Sequence, residues 1–280
     1  MIGQNLHTHS LFSDGKSAAE EIVKAAIQLD MHTLGFSDHA PVPFENGFSI
    51  QKGKLNDYIR EVKRLQHLYK GLIQIYLSLE IDYIPGLMEH FMPQHPQLEL
   101  DYAIASVHLV GENTPETLWF IDGPKQAIYD EGLQTFFGGD IRKGVTAFYR
   151  QTNQMIEQES FDILGHFDKI KMHNQDRYFR EDEKWYRNLI HESLRLIREK
   201  AVIVEVNTRA LYKKRSDSLF PSEWILSEMH KLEIPVIISS DAHHASELQA
   251  YFEVAIRALK KAGYQSCMHF KQHEWLAVPL

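Results

Sequence analysis

The chain has 280 residues, a length that suits one domain with a large buried core. Its net charge is −8 and no block of like charges is present, which disfavours sequence-independent binding to a nucleic-acid backbone. The single cysteine, Cys267, excludes an intrachain disulfide, and neither a leader-like start nor an apolar run of membrane-spanning length is evident. We therefore expect one domain over residues 1–280 of a cytoplasmic protein that does not enter a membrane.

Short apolar runs alternate with longer helix-period runs about seven times along the chain, which is typical of β/α units around a parallel sheet. Strands are predicted near 2–8, 33–38, 73–80, 102–108, 161–166, 201–207 and 235–240. Helices are predicted near 17–30, 54–70, 86–92, 144–159, 181–199, 222–232 and 246–262. Ser17 and Glu20 form a capping-box pattern at the start of the first helix. The repeated units predict an α/β barrel.

The predicted connections from strand to helix are longer than those from helix to strand. They cover 40–53, 109–143, 167–180 and 208–221, and they are rich in proline, glycine, aromatic and charged residues. In α/β barrels the face that carries these connections holds the active site. The function is therefore expected at the carboxyl ends of the strands.

Histidines and acids follow the predicted strands one after another. His7 and His9 close the first strand, and residues two apart in an extended chain point to the same side. Imidazole together with carboxylate suits Zn, Mn or Fe better than Ca or Mg. Too many such side chains are present for one ion, which predicts two or three divalent ions with Glu80 as a bridge. The predicted ligands are His7, His9, Asp14, His39, Glu80, His108, His166, Asp241 and His243.

The acid next to His39 has two possible roles. Asp38 directly precedes His39, and an acid in that position either binds an ion or accepts a hydrogen bond that orients an imidazole. The sequence leaves both open, and we treat Asp38 as an outer partner of the ligands.

Six motifs, in order, resemble those of the PHP (polymerase and histidinol phosphatase) superfamily, and the similarity covers nearly the whole chain. They are HTHSLFSDG at 7–15, GFSDHA at 35–40, the lone Glu80, SVH at 106–108, GHFD at 165–168 and SSDAH at 239–243. Their order and spacing are most similar to the stand-alone histidinol-phosphatase branch. The resemblance implies a distorted seven-stranded (β/α) barrel of the TIM type, with a trinuclear metal site at the carboxyl ends of its strands. It also implies hydrolysis of L-histidinol phosphate to L-histidinol and phosphate in histidine biosynthesis.

The resemblance further implies which ligands share an ion. The first site takes His7, His9, Glu80 and Asp241, the second takes Glu80, His108 and His166, and the third takes Asp14, His39 and His243. Many relatives carry histidine where Asp14 stands, which leaves the occupancy and the metal of the third site open.

A metal-bridging hydroxide is the expected nucleophile for such a phosphatase, because two clustered ions lower the pKa of water and neutralise the phosphoryl oxygens. Glu80 and Asp241 are then the central catalytic carboxylates. His243 is the candidate that protonates the leaving alcohol.

The long loops contain candidate partners for the substrate. Guanidinium forks match phosphate oxygens, so Arg177 and Arg209 are candidate phosphate clamps, and Lys169 and Lys171 are further candidates in the same loops. Each could equally be a solvated loop charge. Candidates for the ammonium and imidazole groups of the substrate are Phe44, Glu45, Asp176 and Tyr178.

Two other functions stay open at this point. The same metal site could cleave nucleotides or nucleic-acid ends, although the net charge of −8 disfavours a long polyanion. The chain could also be a metal-binding module without turnover, which the complete ligand set disfavours. The expected partner is a small-molecule phosphate monoester rather than nucleic acid, and the oligomeric state is left open.

Overall fold

The computed structural model describes residues 2–280, in which strands and helices alternate. The strands are β1 Gln4–Asn5, β2 Thr33–Phe36, β3 Gln74–Leu77, β4 Glu80–Asp82, β5 Ile104–Ser106, β6 Leu109–Val110, β7 Trp119–Phe120, β8 Ile163–Leu164, β9 Ile203–Asn207, β10 Val236–Ser239, β11 Ser266–Lys271 and β12 Glu274–Pro279. The α-helices are α1 Ala19–Gln28, α2 Leu55–Leu68, α3 Phe91–Gln94, α4 Gln126–Phe137, α5 Ile141–Gln158, α6 Lys184–Lys200, α7 Arg209–Tyr212, α8 Glu223–Lys231 and α9 Phe252–Ala262.

The parallel strands form two sheets. One has the order β1-β2-β3 and the other has the order β10-β9-β8-β5-β4. Single parallel bridges, Thr8 to Ala242 and His39 to Glu80, join the sheets at the carboxyl ends of the strands. No sheet closes on itself within residues 2–280. The predicted α/β fold with parallel strands is confirmed, whereas a closed barrel is not.

Every predicted strand has a counterpart, but the third is divided. Its first part, β3, pairs with β2, and its second part, β4, pairs with β5. The division occurs because the chain leaves one sheet for the other at Ser78 and Leu79. Glu80, which was expected at the end of a strand, is consequently the first residue of β4.

Several observed elements differ from the predictions. The helix predicted at 86–92 is wrong: this segment turns at Ile84 and Met88, and only the short α3 follows. Pro93 and Pro96 lack the amide donors that a longer helix would need. Helix α4 and the antiparallel hairpin β11–β12 were not predicted. None of the helices in residues 2–280 is long and apolar enough to cross a membrane.

The first helix begins one residue later than the predicted capping box. Ala18 is the N-cap, and its amide donates to the Glu21 carboxylate at 3.0 Å. The Ser17 hydroxyl instead accepts a hydrogen bond from the amide of Ala245 at 3.1 Å. The predicted pair of Ser17 and Glu20 is therefore wrong, and Ser17 ties the start of α1 to the segment after β10.

An apolar core fills the space between the two sheets. Its members come from strands or strand ends of both sheets, and they are Leu6, Tyr76, Tyr102, Ile104, Ile163, Ile203 and Ile237. Phe270 of the C-terminal hairpin packs onto this core, with Trp275 beside it. Because apolar side chains fill this interior and the hairpin packs onto them, the polar side chains gather at the carboxyl ends of the strands.

Candidate metal centre

The predicted ligands lie after the carboxyl ends of the parallel strands, and Glu80, the first residue of β4, follows the end of β3. Eight of them are buried, and Asp14 is partly exposed. Because each apolar strand is fixed by its neighbours in the sheet, the residue that ends the strand is brought to the same rim. The ligands at this rim are His7, His9, Asp14, His39, Glu80, His108, His166, Asp241 and His243.

The first group of ligands surrounds the imidazole of His7. Possible ligand atoms of His7, His9 and Asp241 all lie within 4.8 Å of one another. Glu80 Oε2 lies 3.2 Å from His7 Nε2 and 3.4 Å from His9 Nε2. These four residues are the ones that the resemblance assigned to the first ion.

The second group of ligands surrounds Oε1, the other carboxylate oxygen of Glu80. Glu80 Oε1 is 2.8 Å from His166 Nε2 and 3.5 Å from His108 Nε2, and the two Nε2 atoms are 3.2 Å apart. His39 also contacts Glu80, with Nδ1 3.2 Å from Oε2. Glu80 therefore has one oxygen towards each group, which is the geometry of a bridging carboxylate.

The third group contains His9, Asp14, His39 and His243, with one ligand atom of each within 4.8 Å of the others. The shortest contact joins His243 Nε2 to Asp14 Oδ1 at 3.1 Å. This group is the third site of the resemblance with His9 added.

The donor atoms fit divalent ions. Several are fully buried yet have no hydrogen-bond partner among residues 2–280, although other ligand atoms lie only 3–4 Å away. Burying an unpaired polar atom costs about 1–3 kcal/mol, so their convergence indicates a shared ligand. These atoms are His7 Nε2, His9 Nδ1 and Nε2, Asp14 Oδ1, His39 Nδ1 and Asp241 Oδ1.

Two of the carboxyl groups are held in the anionic form. Burial raises the pKa of Glu80, but the neighbouring imidazoles, His7 first, outweigh burial and hold this pKa well below its usual range. Burial likewise raises the pKa of Asp241, and His7 and Arg209 lower it well below the usual value. Both side chains are therefore anionic oxygen donors at neutral pH.

Sequence reasoning missed two buried acids that orient histidines. Glu205 Oε1 lies 2.6 Å from His7 Nδ1, and its Oε2 accepts the amide of His166 at 2.8 Å. Asp82 Oδ1 lies 2.9 Å from His108 Nδ1. Each partner fixes one ring nitrogen and turns Nε2 towards Glu80. The signal in the sequence was an acid inside a predicted apolar strand for Glu205 and two residues after Glu80 for Asp82.

Asp38 forms hydrogen bonds with a loop and not with an imidazole ring. Its Oδ1 accepts the amides of Ser10 at 2.8 Å and Ser13 at 3.1 Å, and the hydroxyls of both serines also donate to it. Within the described residues it makes no hydrogen bond to a histidine ring. Asp38 thus fixes the turn between His9 and Asp14.

A cavity of about 360 Å³ opens next to the ligand groups. Its wall includes Asp14, His39, Glu80, His108, Asp241 and His243 from the ligand set, together with Phe48, Phe120, Asp122, Lys169, Arg209 and Arg215. The cavity is therefore bounded by the ligand groups on one side and by aromatic and cationic side chains on the other.

The predicted substrate-binding residues divide into those at the cavity and those outside it. Arg209 lines the cavity and donates from Nη1 to the Asp241 carbonyl at 2.7 Å. Arg177 lies outside the cavity wall and forms a bidentate pair with Asp130 at 2.9 and 2.8 Å. Lys171 is buried beside Asp168, 2.6 Å from Nζ to Oδ2, also outside the wall.

The four candidates for the ammonium and imidazole groups are not part of the cavity wall either. They are Phe44, Glu45, Asp176 and Tyr178. Phe48 and Phe120 lie there instead, with ring centroids 5.8 Å apart. Phe48 and Phe120 come from two of the loops expected at the active site, but neither was among the residues named from the sequence.

Comparison with known proteins identifies a family and relatives over most of the chain. The PHP domain model matches residues 5–209. A histidinol-phosphatase of Bacillus subtilis is 22% identical over 271 residues, which cover 89% of this chain and 96% of that protein. A histidinol-phosphatase of Lactococcus lactis is 25% identical over 274 residues, 94% of this chain and 93% of that protein.

A solved structure has the same fold. It is histidinol phosphate phosphatase from Lactococcus lactis, complexed with zinc, L-histidinol and phosphate. It superposes with a TM-score of 0.69 at 22% sequence identity, over 98% of both chains. With well over half of its residues matched by the family model and the ligand motifs in place, this chain belongs to the PHP domain family.

Proposed function

We propose that this protein is a metal-dependent phosphomonoesterase that hydrolyses L-histidinol phosphate to L-histidinol and phosphate. The observation that carries the proposal is the set of buried, unpartnered imidazole and carboxylate atoms beside a small cavity. The similarity to histidinol-phosphatases over nearly the full length of both chains supports the choice of substrate. A role in histidine biosynthesis would place the protein in the cytoplasm.

The ligand groups would hold two or three divalent ions, with Zn, Mn and Fe as the candidates. His7, His9, Glu80 and Asp241 would hold the first, Glu80, His108 and His166 the second, and Asp14, His39 and His243 the third. Bound ions supply positive charge to the phosphoryl oxygens and activate water for attack on phosphorus.

The side chains of the protein contribute orientation and charge. Glu205 and Asp82 hold His7 and His108 with Nε2 towards Glu80. Arg209, fixed by the Asp241 carbonyl, adds a cation to the cavity wall. His243 lines the cavity, and when no ion occupies the third site it is our candidate for the group that protonates the leaving alcohol.

The cavity supports a small substrate. A volume of about 360 Å³ suits a small-molecule phosphate. Phe48 and Phe120 offer two ring faces at the wall, and the imidazole of histidinol phosphate is an aromatic ring that can stack on them. We infer that these two phenylalanines receive the imidazole, in place of Phe44 and Tyr178.

The function is tested by comparing substrates on the metal-loaded protein. We expect kcat/KM for L-histidinol phosphate to exceed that for p-nitrophenyl phosphate, mononucleotides and single-stranded DNA. If a mononucleotide or p-nitrophenyl phosphate is the better substrate, the proposed substrate is wrong although the phosphatase chemistry stands.

The role of the central carboxylates is tested by Glu80→Ala and Asp241→Ala. Both should abolish turnover while the fold persists, because each removes an anionic ligand of the first group, and Glu80 also faces the second group. A variant that keeps more than about a tenth of the wild-type kcat, about 1.4 kcal/mol in the barrier, would contradict the assigned role.

We also propose that residues 1–280 form one domain and that the two sheets are parts of one distorted seven-stranded barrel. The bridges from Thr8 to Ala242 and from His39 to Glu80 support this view. The apolar core shared by strands of both sheets supports it as well.

A further inference from the structure

A buried lysine, named above among the candidate phosphate clamps, lines the cavity. Lys169 is 6% exposed and opens the 3₁₀ helix Lys169–Lys171. Its amide donates to the carbonyl of His166 at 2.9 Å. The turn therefore fixes Lys169 relative to a predicted metal ligand.

Asp122 holds the ammonium group of this lysine. Nζ of Lys169 lies 2.7 Å from Oδ2 of Asp122. Asp122 is itself fixed, because the preceding residue, Ile121, donates its amide to the His108 carbonyl at 3.0 Å. An ammonium has three donors, and across residues 2–280 Nζ makes no other ion pair. Donors of Lys169 thus remain for a ligand in the cavity.

Stability alone does not account for the pair. Burying an ammonium costs several kcal/mol, and replacing a buried ion pair by apolar side chains is often neutral or stabilising. Burial also lowers the pKa of Lys169, but Asp122, Asp241 and Glu80 outweigh burial and raise this pKa above its usual value. The cavity therefore contains a maintained positive charge next to Glu80 and Asp241.

The other cations of these loops are less suited to a ligand. Arg177 is paired with Asp130 outside the cavity, and Lys171 is paired with Asp168. Arg209 donates to a backbone carbonyl, and Arg215 is partly exposed at the cavity wall, where water screens its charge. Lys169 is the most buried of these wall cations, and it keeps donors free.

We propose that Lys169, held in place by Asp122, binds a non-bridging oxygen of the phosphoryl group in the cavity. The inference rests on the proposed phosphatase function. An ammonium aimed at an anionic oxygen forms a charge-assisted hydrogen bond, and in a buried site this bond is screened little by water. Asp122 then contributes indirectly, as the residue that positions Nζ.

The test uses inorganic phosphate, which binds without turnover. Lys169→Met removes the charge and keeps the chain length, and Lys125→Met is the matched control because Lys125 is exposed beside α4. All proteins are loaded with zinc, their metal content is measured, and phosphate is titrated by calorimetry. We expect K169M to bind phosphate about tenfold more weakly or worse at unchanged metal content, with K125M equal to wild type.

Further variants separate positioning from packing. Lys169→Arg keeps the charge and should bind phosphate more tightly than K169M. Asp122→Asn should weaken phosphate binding, whereas K169M/D122N should be no weaker than K169M, because without the lysine nothing remains for Asp122 to position. If K169M does not fold, Lys169→Gln takes its place with the same expectation.

Phosphate affinity of metal-loaded K169M within about twofold of wild type would overturn the inference. The substrate comparison is independent of this result. If wild type prefers another phosphate ester, the histidinol phosphate assignment fails, but the phosphate titration still decides the role of Lys169.

Discussion

Glu205 and Asp82 turn two histidines towards the ion sites without facing the cavity themselves. Glu205 contacts His7 through one oxygen and the His166 amide through the other, so a single carboxylate serves two ligand groups. Burial raises the pKa of Glu205, but His7 outweighs burial and lowers this pKa, so that the side chain stays anionic. An anionic acceptor on Nδ1 increases the basicity of Nε2.

Glu205→Gln keeps the shape of the side chain and removes its charge. We expect metal affinity, measured by titration of the apo protein, to fall about 10- to 100-fold. Glu199→Gln, an exposed change at the end of α6, is the control and should match wild type. Unchanged metal affinity in E205Q would show that Glu205 has a packing role only.

The C-terminal hairpin, β11 and β12, is the element that seals the amino-terminal end of the strands. Phe270 in β11 is 3% exposed and packs against Tyr76 and Tyr102, at ring-centroid distances of 4.7 and 5.7 Å. The side chain of Gln4 in β1 also bonds to the backbone of this strand. The hairpin is therefore part of the core, although it lies beyond the part matched by the PHP domain model.

Phe270→Ala should lower the free energy of unfolding by about 3–5 kcal/mol, because it leaves a cavity in the apolar core. Urea denaturation with and without metal measures the change. Leu276→Ala is the control on the partner strand, where the side chain is 43% exposed, and it should cost far less. Equal losses in the two variants would contradict a sealing role for the hairpin.

At the scale of the whole molecule, the ligands of the centre come from both sheets and from distant parts of the chain. His7 and Asp241 converge although 233 residues lie between them in the sequence. Ions bound by such ligands bind the folded state and not the unfolded one. Metal binding should therefore stabilise the whole fold.

Chelation should lower the melting temperature, and addition of zinc or manganese should restore it. If residues 1–280 form one domain, the protein should unfold in a single transition. At free metal 100-fold above Kd, each site adds about 2.7 kcal/mol to the free energy of unfolding. Calorimetry with elemental analysis measures both the transition and the metal content, expected at two to three ions per chain. One ion or none after reconstitution, or two separate transitions, would contradict this arrangement.

The sequence by itself determined the parallel α/β organisation and the positions of the candidate ligands, because both depend on local spacing. An apolar run predicts a strand, and the polar residue that ends it predicts a position at the rim; His108 and His166 follow this rule. Tertiary structure alone decided which charges face the cavity. Arg177 is paired by Asp130 of the unpredicted helix α4, and Lys169 is held by Asp122 from the β7 loop. Such pairings depend on contacts between segments far apart in the chain, and no local pattern encodes them.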